Sequence, residues 1–292
     1  MTSSMEKCPA VPQASRAPST LVIQATRGWG ALGLRDLWEY RDLLWFHVWR
    51  NVKGKYRQMA LGPLWIILTP LINMVVFSVV FGRLARLPSE GVPYPIFTYT
   101  ALVPWTFFGS ACQQSVGSLV AQMQVISKVY FPRMIMPISA TITAFIDFLV
   151  SFAVLVLMML LVGFRPTLGV VFLPLFVLLA AAAGLGVGLW TASLTVRFRD
   201  VRFLVASGVR VAMYLTPVAY SATLISERFP QWMWLYKANP MYWVIEGFRW
   251  GLLGVGNRPE PFMLIPVGLV LLLLVSGAYV FRRTERTIVD LL

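Results

Sequence analysis

The stretch RNVKGKYRQMALGPLWIILTP, Arg50 to Pro70, sets four cations, Arg50, Lys53, Lys55 and Arg57, directly before an uncharged apolar run. Ammonium and guanidinium groups clustered in this way match phosphate oxygens through charge-assisted hydrogen bonds. At an anionic leaflet each also acts as an anchor worth about 1 kcal/mol. Two compatible roles follow: holding the chain at a membrane face, and holding an anionic group there. Neither allows the segment to be a cleaved signal. Two more stretches mix cations with aromatic rings. ISKVYFPRMIMP (126–137) places Lys128, Tyr130, Phe131 and Arg133 around Pro132, and VRFRDVRF (196–203) packs Arg197, Phe198, Arg199 and Asp200 together. Short helices of this make-up plug into a cleft on a soluble partner; positive loops that only fix topology have the same composition. Catalysis on the chain finds little support. His47 is the only histidine, and HExxH, GxSxG and GxxxxGK[ST] are all absent. Uphill transport driven by ATP would therefore need a separate subunit to bind ATP and Mg2+; no cofactor or metal is expected on this chain.

The elements that position these residues are membrane helices. Of 292 residues 58% are hydrophobic and only 13% charged, with a mean hydropathy of +0.71, far from a soluble chain in which about a quarter is charged. Charge-free runs of about 20 residues or more are what a helix needs to cross a bilayer core of about 30 Å. They come as continuous blocks, not the alternation of a barrel. Six spans are expected: Leu64 to Gly82, about Trp105 to Gln122, Met134 to Phe164, Leu168 to Val196, Arg202 to Tyr220 and Phe262 to Phe281. Residues 1–33, rich in Pro and Ser, read as a disordered cytoplasmic tail. Residues 34–58 read as an amphipathic helix in the membrane interface, and 59–292 as the transmembrane domain. Of the Lys and Arg, 18 fall on the side of the termini and seven opposite. Both termini are therefore expected in the cytoplasm. Cys8 and Cys112 are too differently placed to pair and say little about redox compartment.

Tyr220 to Trp250 is too interrupted by Pro230 and Pro240 to span. Its aromatic residues favour an interface, and irregular backbone at membrane depth must be buried in protein or line a cavity. A pair of re-entrant helices at about 220–247 satisfies both conditions; an outer loop with an aromatic belt is the alternative. Asp147 and Arg210 are the ionisable residues inside apolar spans, where such groups face a bundle interior or water. Arg210 is a pore candidate, with snorkelling to the surface as the other reading, and Asp147 is expected to bond a neighbouring Ser or Thr. Aromatic candidates to line a path across the membrane are Trp105, Phe107, Phe108, Tyr214, Tyr220, Trp232, Tyr236 and Tyr242, several of which equally suit core packing.

KYRQMALGPLWIILTPLINMVVFSVVFG, KVYFPRMIMP, RFRDVRFLV and LTPVAYS…ANPMYWVIEGFR together resemble the type-2 ABC exporter permeases that move lipid-linked polysaccharide, the O-antigen and teichoic-acid group. LRDLWEYRDLLWFHVWRNVKGKYRQMALGPLW resembles their amphipathic N-terminal helix and first span. The resemblance implies an all-α, homodimeric inner-membrane permease served by two copies of a nucleotide-binding ATPase subunit. It also implies coupling helices at 127–133 and 197–201, outer gate helices within 220–247, and an undecaprenyl-diphosphate-linked glycan as substrate, as in lipopolysaccharide biosynthesis. Arg210 departs from the uncharged polar residue expected there in many relatives. Export of capsular polysaccharide, a small lipid or a drug is the alternative in mechanism. A membrane-embedded transferase is the alternative in class, but it requires a cluster of acids or a His near the membrane surface that is not found.

Overall fold

The computed structural model describes residues 34–57, 64–121 and 131–288, and all regular structure among them is helical. The elements are α1 (Leu34–Glu39), α2 (Arg41–Arg57), α3 (Leu64–Phe77), α4 (Tyr94–Ala121), α5 (Ile135–Val162), α6 (Leu173–Arg197), α7 (Val201–Leu215), α8 (Ala222–Arg228), α9 (Met233–Ala238), α10 (Pro240–Leu253) and α11 (Leu264–Ile288). α3 continues as a π-helical turn, Ser78–Leu84, and α6 is preceded by a 3-10 turn, Leu168–Phe172. Residues 1–33, read above as a tail, and most of 127–133 lie outside the described residues.

Four helical stretches are long and apolar enough to cross a membrane: Leu64–Leu84, Ile135–Val162, Leu168–Arg197 and Pro261–Glu285. Their outward rows, such as Val75, Val76 and Val79 on α3 and Leu157, Leu160 and Leu161 on α5, are exposed. Contiguous aliphatic surface of this extent needs a hydrocarbon solvent. α4 is as long as α5 but less apolar, and it occupies the centre, packed by α3, α5, α6, α7 and α10. Every residue from Ile96 to Trp105 is buried.

Small residues let α4 and α6 approach closely. A Cβ on Gly184 would lie 2.8 Å from the Ala111 Cβ, and one on Gly188 would lie 2.5 Å from the Ser115 Cβ. Both pairs advance by four residues, one helical turn on each partner. Without a hydrophobic force between helices in lipid, such close van der Waals seams are what hold helices together.

Several boundaries differ from the sequence expectation, among them the end of α11, which runs to Ile288, seven residues past Phe281. α4 begins at Tyr94, eleven residues before the predicted start, because Pro95 sits in the first turn, where its missing N–H has no helical acceptor to lose. α7 ends at Leu215 instead of about Tyr220. Thr216, the residue before Pro217, is extended with ψ 146°, as the proline ring demands of its predecessor.

A second buried cluster lies at the α2 end. Phe131, Met134, Ile135, Met136, Leu189 and Phe281 gather there, with Leu37, Tyr40, Leu43 and Leu44 of α1 and α2 packed against them. It seats the N-terminal helices on α5, α6 and α11.

Candidate functional site

The four cations of α2 are not placed alike. Lys53 and Arg57 are exposed and Arg50 is half-buried, its pKa lowered by that burial. Lys55 instead donates to the Asp147 carboxylate on α5. The partner found for the Asp147 side chain is thus a lysine, and the nearby Ser151 hydroxyl donates to the Asp147 carbonyl at 3.2 Å. A lysine of α2 reaches an acid of α5 that had looked isolated because the two are 92 positions apart.

The two basic-aromatic stretches also differ. Phe131 is 4% exposed and its ring packs 5.8 Å from that of His47. Arg133 donates from its backbone N–H to Glu285 Oε1 at 3.0 Å and from Nη1 to the Glu285 carbonyl at 2.9 Å. Lys128 and Tyr130 lie outside the described residues. By contrast Arg197, Phe198, Arg199 and Asp200 are all exposed in the turn between α6 and α7, with the Arg197 guanidinium 5.5 Å from the Phe198 ring centre. This knuckle presents its cations and its ring to the surroundings.

His47 is buried, and neither ring nitrogen has a hydrogen-bond partner among the described residues. Burial first, and the Arg50 charge second, lower its pKa to about 4. The imidazole is neutral at physiological pH and fills space against Phe131 and Phe46.

The eight aromatic candidates fall into separate places. Trp105 and Phe108 pack at 5.5 Å and line a groove of about 530 Å³ with Trp190, Met241, Leu269 and Leu273. Phe107 turns the other way and packs on Phe145 and Phe148. Tyr242 is buried and accepts from Asn257 Nδ2 at 2.7 Å. Tyr220 and Tyr236 meet through their hydroxyls at 3.4 Å. Trp232 is exposed beside Phe229, Trp234 and Leu235, and Tyr214 is exposed one turn beyond the exposed Arg210 on α7.

The strongest polar construction was missed in the sequence. Between the end of α7 and the start of α8, residues 218–221 are gripped one after another. Arg249 of α10 donates from Nη2 to the Val218 carbonyl at 3.0 Å and from Nη1 to the Tyr220 carbonyl at 3.2 Å. Tyr94 donates to the Ala219 carbonyl, and Ser221 donates its hydroxyl to Glu90. Glu90 also accepts the Gly256 N–H at 2.9 Å, and it holds φ at +55°, a region non-glycine residues adopt only when their surroundings fix them. Glu246 completes the group, taking Arg249 Nη1 at 3.1 Å and the Asn257 N–H at 2.9 Å. Glu246 and Arg249 are each 1% exposed. In the sequence Arg249 sits near the end of the interrupted aromatic stretch Tyr220 to Trp250. The available signal was an acid and a base one turn apart, Glu246 and Arg249, inside an otherwise apolar run.

This clamp gives the α8 end a rigid frame. Asn239 adds to it, capping α10 through the Met241 N–H at 2.9 Å and donating to Thr216 Oγ1 at 3.0 Å. The segment between these two locks, α8 and α9, carries its exposed aromatic rings on a fixed base. Among the described residues, no three His, Cys, Asp or Glu side chains converge to hold a metal.

The sequence model of the family described as "ABC-2 type transporter" matches residues 42–253. The chain is 29% identical over 256 residues to an O-antigen export system permease protein RfbA of Myxococcus xanthus, covering 86% of this chain and 96% of that one. It is 28% identical over 252 residues to the protein of the same name from Klebsiella pneumoniae, covering 86% and 95%. A shorter similarity, 28% over 114 residues, links 39% of the chain to 43% of the polysialic acid transport protein KpsM of Escherichia coli.

Proposed function

The chain belongs to the ABC-2 type transporter family, and on that premise we propose that it is the permease subunit of an ATP-driven exporter of lipid-linked polysaccharide, an O-antigen-like glycan. The observation that carries this reading is similarity to permeases named for O-antigen export over nearly the whole length of both chains. ATP and Mg2+ belong to a separate nucleotide-binding subunit, present in two copies beneath a homodimer of this chain in the inner membrane. Both termini face the cytoplasm, and α4 and α7 complete six spans with the four apolar stretches.

In this arrangement each element has work suited to its surface. The exposed knuckle at Arg197 to Asp200 meets the ATPase, while Phe131 and Arg133 tie the other coupling loop to α2 and α11. Arg50, Lys53 and Arg57 gather the diphosphate of an undecaprenyl-type carrier at the cytoplasmic surface, as cations matched to phosphate oxygens. The exposed side of α7, with Arg210 and Tyr214, faces the glycan path between protomers. Tyr220, Trp232 and Tyr236 border its outer end. Aromatic faces there bind sugar rings weakly and repeatedly, which allows a polymer to slide.

The similarity to a polysialic acid transport protein favours capsular polysaccharide as the second reading. Deleting the coding sequence and typing surface glycans separates the two. Loss of long-chain O-antigen supports the first reading and loss of capsule alone supports the second. Unchanged surface glycan, together with no ATPase recovered on a tagged chain, overturns both.

A further inference from the structure

α2 offers two different apolar faces to whatever it packs on. His47 and Val48 are buried against the rest of the protein, while Trp45, Phe46 and Trp49 are exposed and no less apolar. Apolar contact is non-directional. Burial alone therefore does not select one rotation of this helix about its axis over another that would turn the tryptophans inward.

The cations depend on that rotation. Arg50, Lys53 and Arg57 recur at i, i+3 and i+7, the spacing of a single helix face. Lys55 lies about 140° around the helix from Arg50 at 3.6 residues per turn. The structure agrees with the spacing, since Lys53 and Arg57 are exposed and the Lys55 ammonium is turned onto Asp147 of α5. The Lys55 side chain retains 34% exposure and the Asp147 side chain 11%.

An acid inside an apolar span is costly to insert, and a paired buried charge is seldom more stabilising than an apolar contact of the same size. Net stability does not account for Asp147. What an ion pair adds is direction: Lys55 meets Asp147 in one rotational setting of α2, and every other setting leaves a carboxylate buried without its ammonium.

We propose that Asp147 is the positioning residue for capture of the anionic headgroup: by holding Lys55 it fixes the rotation of α2, so that Arg50, Lys53 and Arg57 present one cationic stripe to a diphosphate at the membrane surface. Lys55 thereby serves as an anchor and not as a fourth ligand. This inference rests on the diphosphate reading of the stripe given above.

The test uses the full chain with its co-purified ATPase in lipid nanodiscs, in a background with Cys8→Ser and Cys112→Ala. Two readouts are taken: labelling of single cysteines at positions 48 and 53 by a membrane-impermeant maleimide, and binding of farnesyl diphosphate. In the parent, V48C is protected and K53C labels readily. Asp147→Asn is expected to raise V48C labelling several-fold and weaken farnesyl diphosphate binding several-fold. The exchange Lys55→Asp with Asp147→Lys is expected to restore both, a rescue that loss of packing does not permit. Parent-like labelling and binding in Asp147→Asn overturns the proposal. If Asp147→Asn fails to accumulate, the exchanged pair decides: accumulation with V48C protected supports the anchor, and accumulation with V48C labelled overturns it. If Arg50→Gln, Lys53→Gln and Arg57→Gln together leave binding unchanged, the diphosphate reading falls. The labelling data then judge the anchor alone.

Discussion

The guanidinium carbon of Arg249 sits 3.7 Å from the centre of the Phe97 ring, so that one buried arginine is shared between a ring of α4, a carboxylate of α10 and two carbonyls at the end of α7. Its Nε makes no hydrogen bond among the described residues, and its plane instead covers the aromatic face. Removing the charge leaves Glu246 buried beside two unsatisfied carbonyls. Arg249→Met is expected to lower stability by about 3–5 kcal/mol, the cost of breaking a buried pair. Arg249→Met with Glu246→Gln should recover part of that loss. Thermal unfolding of the purified variants in detergent reads both, and equal losses in the single and double variants would show that Glu246 is not the group left stranded.

Gly188→Ala drives a methyl into Ser115, and Gly184 and Ala111 one turn away leave no room to slide. Overpacking of this kind costs about 1–3 kcal/mol. Ser115→Gly in the same chain should return most of it. The measurement is again the unfolding midpoint, compared for the single and the paired variant.

His47 introduces a pH dependence with a definite sign. In the folded chain its pKa is about 4, against an ordinary value of 6.5. Between those values the unfolded chain binds the proton and the folded chain does not, so stability rises with pH through this window. The contribution is complete above about 6.5 and lost progressively as pH falls toward 4. His47→Phe keeps the ring against Phe131 and should flatten the dependence, read as the difference in unfolding midpoint between pH 7 and pH 5.

Phe131 and Phe198 carry the same side chain in opposite settings, 4% and 56% exposed. Phe131→Ala should act on the permease itself, at about 3–5 kcal/mol for a core phenylalanine, and lower the amount of folded chain. Phe198→Ala and Arg199→Glu should leave that amount unchanged while reducing the ATPase recovered with a tagged chain. Densitometry of the two subunits after affinity purification distinguishes them.

The apolar helices were legible in the sequence because charge-free length is a one-dimensional property. Ile135–Val162 and Leu168–Arg197 lie within two residues of the runs bounded by Met134, Phe164, Leu168 and Val196. Cation-aromatic clustering was legible in the same way at Arg197 to Asp200. What could not be read were partnerships across the chain. Lys55 looked like a member of a basic cluster because its partner lies on another helix, and Arg249 went unmarked because aromatic residues and prolines hid a helix, Met241 to Leu253, that is buried except at Trp250. The start of α4 was not legible either, because Pro95 and Pro104 lie within it, and a helix enclosed by neighbours tolerates what an isolated one does not.

The enclosure of α4 bears on how the chain enters the bilayer during synthesis. Thr98, Thr100, Ser115 and Ser118 are buried along it, and it falls outside the stretches apolar enough to partition into lipid unaided. The segments that shield it, α5, α6 and α10, emerge from the ribosome only later. On the six-span reading proposed above, α4 is expected to be retained at the insertion machinery until its successors arrive. Truncation after α4 should yield a nascent chain that crosslinks to the translocon and resists release into lipid.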